Sequence, residues 1–416
     1  MAHIWAAQSG GAPTSAAWTS LASSSDGTKL AAVGIGSIWL STDSGLSWTL
    51  TEPIGGPITA NWQAITSSTD GTKLAVIENG GNIWLSTDSG LSWSAQAGGA
   101  PTTGNWKSIA SSANGTKLAA VGYGTDIWIS IDSGLSWSVQ NGGTPMPPDN
   151  WIGIASSADG TKLAVVASHY GNIFLSTDGG ISWAAQTGGA PSMGGWTGIA
   201  SSADGTKLIA CDYSSNIWLS SDSGTTWTAP EIVAPPPSLG WYSPASSSDG
   251  TKLAVGTLAD TIWLSSDSGA TWTPQGGDLP SSGSWVSMAS SADGTKLVAS
   301  DSGGNIWLGK EPLPIPTSIT GTVTVPNTGG TITLTETMTV EATGDLTLDV
   351  AHISGLVADG AVQIIHVKAG GKIKLTNGRQ ITVCPYTGYE IRLVPTCPSG
   401  FQWDEGYNAC VMIPGG

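Results

Sequence analysis

The sequence predicts an all-β protein: seven four-stranded units arranged as a propeller over residues 1–310, followed by a small separate β domain with a cysteine-containing tail. Two recurring words and one fixed period carry the prediction. The word "SSADGTKL" and its variants place Asp-Gly or Asn-Gly at Asp26, Asp70, Asn114, Asp159, Asp204, Asp249 and Asp293. Eight residues before each stands a tryptophan (Trp18, Trp62, Trp106, Trp151, Trp196, Trp241 and Trp285), so the period is 44 or 45 residues. The second word, "STDSGLSW" at 41–48, recurs letter for letter at 86–93 and as close variants in four further units, but not in the seventh. A period in the forties with four strand-like runs per unit is the pattern of propeller blades.

Within a unit the runs read "WTSLASS", "KLAAV", "SIWLSTD" and "LSWTL". Each is rich in β-branched or aromatic residues and bounded by Gly, Asp, Asn or Ser, the composition of short strands between turns. Asp-Gly between the first two predicts a type I′ hairpin turn, which needs two positive φ values. The seventh unit reaches "NIWLGK" at 305–310 and lacks a fourth run, while "IWAAQSGGAP" at 4–13 matches "SWAAQTGGAP" at 182–191. Ile4–Gln8 is therefore expected to supply the outer strand of the last unit, leaving no unpaired edge there.

After residue 310 the composition changes. "EPLPIP" (311–316) reads as a stiff Pro-rich linker. Residues 317–383 alternate Thr with Val, Ile or Leu at period two, predicting a separate β domain, either a sandwich or a solenoid. Lys368, Lys372, Lys374 and Arg379 make a basic patch there, suited to an acidic partner surface. The tail, 384–416, holds Cys384, Cys397 and Cys410, and a Cys397–Cys410 disulfide would close a small loop. Cys211, in the fifth unit, has the surroundings of a buried thiol.

The pattern S-x-D-x-G-x-x-W resembles the Asp-box, the turn of sialidase-like (BNR repeat) propellers, and the resemblance extends over residues 3–309. In that family the box joins the third and fourth strands of a blade. The resemblance implies that Asp43, Asp88, Asp132, Asp178, Asp222 and Asp267 tie their turns through backbone hydrogen bonds. It implies that Trp48, Trp93, Trp137, Trp183, Trp227 and Trp272 pack between blades. A weaker resemblance links "CPSGFQWDEGYNACV" to the end of a chitin-binding peritrophin module, whose earlier cysteines are missing here.

Connection lengths separate the two ends of the units. First Trp to Asp-Gly is constant, as is third-strand aromatic to box Trp. Turn Lys to third-strand aromatic varies from 10 to 12 residues, and box Trp to the next first-strand Trp is 13 or 14. In a meander the variable connections share one face, and length variation confined to one face points to the binding face of a repeat protein. Its candidate ligand-binding residues are Glu78, Tyr123, Asp126, His169, Tyr170, Asp212 and Tyr213, with Tyr242 beside them. Tyr, His and Asp around a shallow ring suit a glycan, which presents hydroxyls and C–H faces together. The longest loop, "ASHYGN", carries His169 and Tyr170. Lys29, Lys73, Lys117, Lys162, Lys207, Lys252 and Lys296 fall on the uniform face and are expected to be solvated hairpin ends.

Charge and composition narrow the function classes. The formal net charge is −16, which disfavours nucleic acid and anionic membranes. No apolar run approaches the roughly 18 residues of a membrane helix, and the start of the sequence shows no secretory signal pattern. The only arginines are Arg379 and Arg392, outside the propeller, so the three-Arg carboxylate grip of sialidases cannot be built. No catalytic cluster, metal spacing or cofactor motif is visible, and neither an enzyme nor a cofactor is expected. The main reading is a non-enzymatic protein displaying the variable face on a larger assembly, such as a virion surface, fibre or cell appendage, with 317–416 meeting a partner or another copy. The alternative is a carbohydrate-active protein, lectin or glycoside hydrolase, and the third reading is an intracellular assembly factor in the cytoplasm.

Overall fold

The computed structural model describes residues 3–311 except 9, 15, 52–59, 97, 140–148, 169–170, 187, 191–194, 214–215, 231–239, 259–260, 277–278 and 281–283. Beyond residue 311 it describes only the backbone of six short strands. The chain divides into two compact units, Met1–Pro312 and Leu313–Gly416, and all regular structure among the described residues is β.

Among the described residues the larger unit shows seven antiparallel meanders in succession. In the first, Trp18–Ser23, Leu30–Gly34, Ser37–Ser41 and Thr49–Thr51 pair in order. The next five begin at Trp62–Ser67, Gly104–Ser111, Asp149–Ser156, Trp196–Ser201 and Trp241–Ser246. In the fifth the outer strand is reduced to a single bridge, Leu219 with Thr228. The seventh comprises Trp285–Ser290, Lys296–Asp301 and Ile306–Lys310, and the N-terminal strand Ile4–Ala7 pairs along its outside from Ile4↔Lys310 to Ala7↔Trp307.

The Asp-Gly hairpin differs from the expected two-residue type. Only its glycine takes positive φ (Gly27, 66°), and the Gly27 N–H bonds the Ser24 carbonyl at 3.0 Å. The Asp26 carboxylate accepts from the Ser24 hydroxyl (2.6 Å) and the Thr28 N–H (2.9 Å), so the side chain stabilises a longer loop built on an ordinary turn.

First strands pack side by side, each against the next and Trp285–Ser290 against Trp18–Ser23. One residue before each Asp-Gly or Asn-Gly, a chain of backbone bonds links successive turns. Ser25 N–H donates to the Thr69 carbonyl, and the series continues through Ala113, Ala158, Ala203, Ser248 and Ala292, whose N–H returns to the Ser25 carbonyl; all seven span 2.7–2.8 Å.

The apolar core lies between units. Ala22, Val33 and Ile38 of the first pack with Trp62, Ile65 and Trp93 of the second, and Val298 and Ile306 of the seventh with Trp18, Leu21 and Trp48 of the first. No unit buries its apolar surface alone, the usual condition of repeat architectures. All seven first-strand tryptophans are buried, and four meet the third-strand aromatic of their own unit edge-on, as Trp62 meets Trp84 at 6.4 Å. Six of the first strands are bulged just after their tryptophan, between Trp18 and Ser20 for example, which displaces the following residue from the ladder. In the sixth, Tyr242 pairs with Gly256 and the shift comes between Tyr242 and Ala245.

In Leu313–Gly416, Leu346–Leu348 pairs parallel with Ile373–Leu375, Gln363–Val367 antiparallel with Tyr389–Leu393, and Phe401–Asp404 antiparallel with Ala409–Met412. Cys410 lies in the last of these strands opposite Trp403, while Cys397 lies outside the described residues, and with it the expected disulfide.

Candidate functional site

On the uniform face the conserved spacing of the words becomes hydrogen bonding. Ser41 donates its hydroxyl to Asp43 (2.8 Å), and Asp43 accepts from the Ser47 N–H (2.8 Å) and hydroxyl (2.5 Å). The Trp48 indole N–H donates to the Gly45 carbonyl at 3.1 Å. Asp88, Asp132, Asp178, Asp222 and Asp267 make the same bonds. The Ser182 hydroxyl, first among these donors, holds Asp178 down at about 2. Trp93, Trp137, Trp183 and Trp227 are buried like Trp48, and Trp272 is half-buried.

The turn lysines correct an expectation. They are not solvated ends: most reach the following unit. Lys29 donates to the Asp70 carbonyl (3.0 Å) and the Ser89 hydroxyl (3.2 Å), and Lys73, Lys162 and Lys207 donate to Ser133, Ser223 and Ser268 at 3.1 Å. Each receiving serine stands at φ near 60° in the middle of its box. Lys252 meets the seventh unit, which has no box, and pairs with Glu311 at 2.5 Å. Lys296 returns to Asp26 and Ser44 of the first unit. Lys117 faces the fourth box, where Gly179 replaces the serine, and it makes no such bond among the described residues.

The variable face gathers a different set. The Lys107 ammonium lies 4.7 Å from the centroid of the Tyr123 ring and donates to Gln63 Oε1 at 2.8 Å. Lys107 and Gln63 are the displaced residues after Trp106 and Trp62, so the bulges aim them. Burial lowers the Lys107 pKa. Tyr242, the corresponding residue after Trp241, meets Tyr213 edge-on at 5.3 Å. Burial pushes the Tyr242 phenol up, helped by a hydrogen bond with Tyr213 and by the nearby Tyr123 phenol. Residues of the second and third units thus meet on this face, as do those of the fifth and sixth, and Tyr123 lies near enough to Tyr242 to act on its phenol. Tyr213 is 59% exposed and Tyr123 39%, and the Tyr213 N–H is pinned to the Gly195 carbonyl at 2.8 Å.

Other candidates fall elsewhere. Asp212 is buried, and its carboxylate accepts from the Asn216 N–H (3.0 Å) and the Trp218 indole (3.1 Å), so it braces its own loop rather than facing a ligand. Asp301 braces the seventh loop through Asn305 and Trp307 in the same way. Glu78 and Asp126 are half-buried. His169 and Tyr170 lie outside the described residues. Lys107 and Gln63 were missed as candidates. Their signal was available: the residue after the first-strand tryptophan reads Thr19, Gln63, Lys107, Ile152, Thr197, Tyr242 and Val286 in an otherwise repetitive strand. Cys211 is fully buried, and burial raises its thiol pKa.

No protein family and no curated protein matches the sequence. Solved structures do match in shape. One is YCF48 bound to D1 peptide, at 15% identity and a TM-score of 0.58, covering 75% of this chain and 98% of that one. Another is YCF48 from Cyanidioschyzon merolae, at 13% identity and a TM-score of 0.57, covering 73% of this chain and 98% of that one. At such identities the likeness is one of fold, and that fold is a β-propeller.

Proposed function

We propose that this chain is a non-enzymatic propeller that binds a segment of a protein partner at the tyrosine-lined mouth of its variable face. In this reading it has seven blades, closed by Ile4–Ala7, and its six serine-aspartate turns are Asp-boxes with a structural role. The cycle of backbone bonds through Ser25 and Ala292 supports the blade count and closure. The shared bonding of Asp43 and its counterparts supports the boxes.

The observation that carries the binding reading is the convergence of Tyr123, Tyr213, Tyr242 and Lys107 from separate units, with Tyr213 largely exposed. Exposed tyrosine supplies broad, rigid contact area with a polar tip, which suits an interface anchor. The similar solved propeller holding a peptide makes a protein segment, rather than a glycan or a surface-display role, the favoured reading. The boundaries 1–310, 311–316, 317–383 and 384–416 remain the proposed domain division, with 317–416 the part proposed to meet other chains.

The test is a peptide array and a glycan array probed with the full chain. Peptide binding is expected, weakened by about 1–3 kcal/mol in Tyr213→Ala and in Tyr242→Ala, and unchanged in Lys117→Ala. Parental binding by both tyrosine variants would overturn the site. Selective glycan binding would restore the lectin reading, and release from polysaccharides or fluorogenic sialosides would restore the hydrolase.

A further inference from the structure

We propose that Lys107 is a receptor for a carboxylate: the segment bound at the mouth is acidic, and one of its Asp, Glu or terminal carboxylates lands on this ammonium. The proposal rests on the peptide-docking reading and specifies its chemistry.

Charge distribution isolates this lysine. Residues 1–311 contain nine lysines and no arginine. Seven are the turn lysines of the uniform face, and Lys310 pairs in register with Lys296 at that same end. Lys107 is therefore the one cation that the described residues place at the mouth. Among them it has no carboxylate partner, although the whole protein carries 30 acidic residues. Its polar contact is the neutral Gln63 amide, and its other contact is the face of the Tyr123 ring.

A partly desolvated ammonium loses hydration that an amide oxygen and a ring quadrupole return only in part. Burial lowers its pKa, and among the described residues no carboxylate raises it. Such a group is left with donor capacity and uncompensated positive charge, since an ammonium has three N–H donors. An incoming carboxylate supplies both an acceptor and the opposite charge. The bulge after Trp106 and the Gln63 bond hold the ammonium in place beforehand, so little side-chain freedom is lost on binding. Tyr213, exposed at the same mouth, would take an apolar or aromatic neighbour of that acidic residue.

The experiment uses an array of blocked heptapeptides in which each Asp- or Glu-containing member is printed beside its Asn or Gln counterpart. Full-length protein is expected to favour the acidic member of bound pairs by roughly tenfold, the scale of one charge-assisted hydrogen bond. Lys107→Met should abolish that preference, and Lys107→Arg, which keeps the charge, should retain it. Equal binding of acid and amide members, with binding still lost in Tyr213→Ala, would overturn the carboxylate proposal and leave peptide docking standing. A preference for the acidic members that persists in Lys107→Met would overturn it as well. Failure to bind any peptide, or capture of uronate-bearing saccharides instead, would overturn both readings.

Discussion

Lys73 and Lys117 occupy the same place in adjacent units and differ in what waits for them. Each stem covers the turn glycine of the next unit, Gly115 and Gly160 respectively. Lys73 then finds the Ser133 hydroxyl at 3.1 Å, whereas Lys117 faces Gly179. Truncating each to alanine removes similar packing, so the difference isolates the hydrogen bond. Lys73→Ala is expected to destabilise the protein by about 0.5–1.5 kcal/mol more than Lys117→Ala, read from urea midpoints at constant slope. Equal losses would show that the serine contact contributes nothing. The sequence displayed both lysines at a fixed spacing, yet nothing in the spacing said that the neighbouring box holds a left-handed serine within reach. The same limit applied to Asp212: an acidic residue in a variable loop reads as solvent-facing until the Trp218 indole is seen to claim it.

Among the elements, the strand Ile4–Ala7 carries the most. It pairs along the outer edge of Ile306–Lys310, and its removal would leave that edge open. Just before it, His3 is half-buried, with both ring nitrogens shielded from solvent and the Gly294 backbone beside them. Burial lowers its pKa below 6.5, outweighing the attraction of Glu311. The unfolded chain then binds a proton more readily than the folded one. Stability is complete above about pH 6.5 and falls as the pH drops toward the lowered folded value, where the loss levels off. His3→Leu should remove this slope, and deleting residues 1–8 should lower the melting temperature at every pH. A His3→Leu protein with the parental slope between pH 7 and 5 would rule the histidine out. At this scale the sequence was most legible, because period and strand composition locate the meanders and the missing fourth strand. It was least legible at the bulge, a register slip of one residue that composition does not mark. That slip is what frees Lys107 from the ladder beside Tyr123, and so it hid that part of the site, whereas Tyr242 stays paired with Gly256.

For the larger unit as a whole, the turn aspartates act together. Asp26, Asp70, Asp159, Asp204 and Asp249 are each held at about 2, first by a serine hydroxyl and next by a threonine N–H. Their folded pKa values lie below the ordinary 3.8, so their contribution is present above that value and is lost as the pH falls toward 2. A cooperative acid transition is expected between about pH 4 and 2, followed by tryptophan fluorescence. Asn114 shows that an amide accepts the same Ser112 and Thr116 bonds, so replacing all five aspartates with asparagine should move the midpoint down. An unmoved midpoint would assign acid sensitivity to other groups. The pairing of Ile4 with Lys310 also orders events in time. The two are 306 residues apart, so the strand that completes the last meander is made first and bonded last. At roughly 5–20 residues per second, a nascent chain holds that strand unpartnered for about 15–60 seconds. During that interval the finished meanders present an open flank, and a neighbouring chain on the same message could supply the waiting strand instead. Slower initiation, which spaces ribosomes apart, should therefore raise the yield of monomer over strand-exchanged dimer.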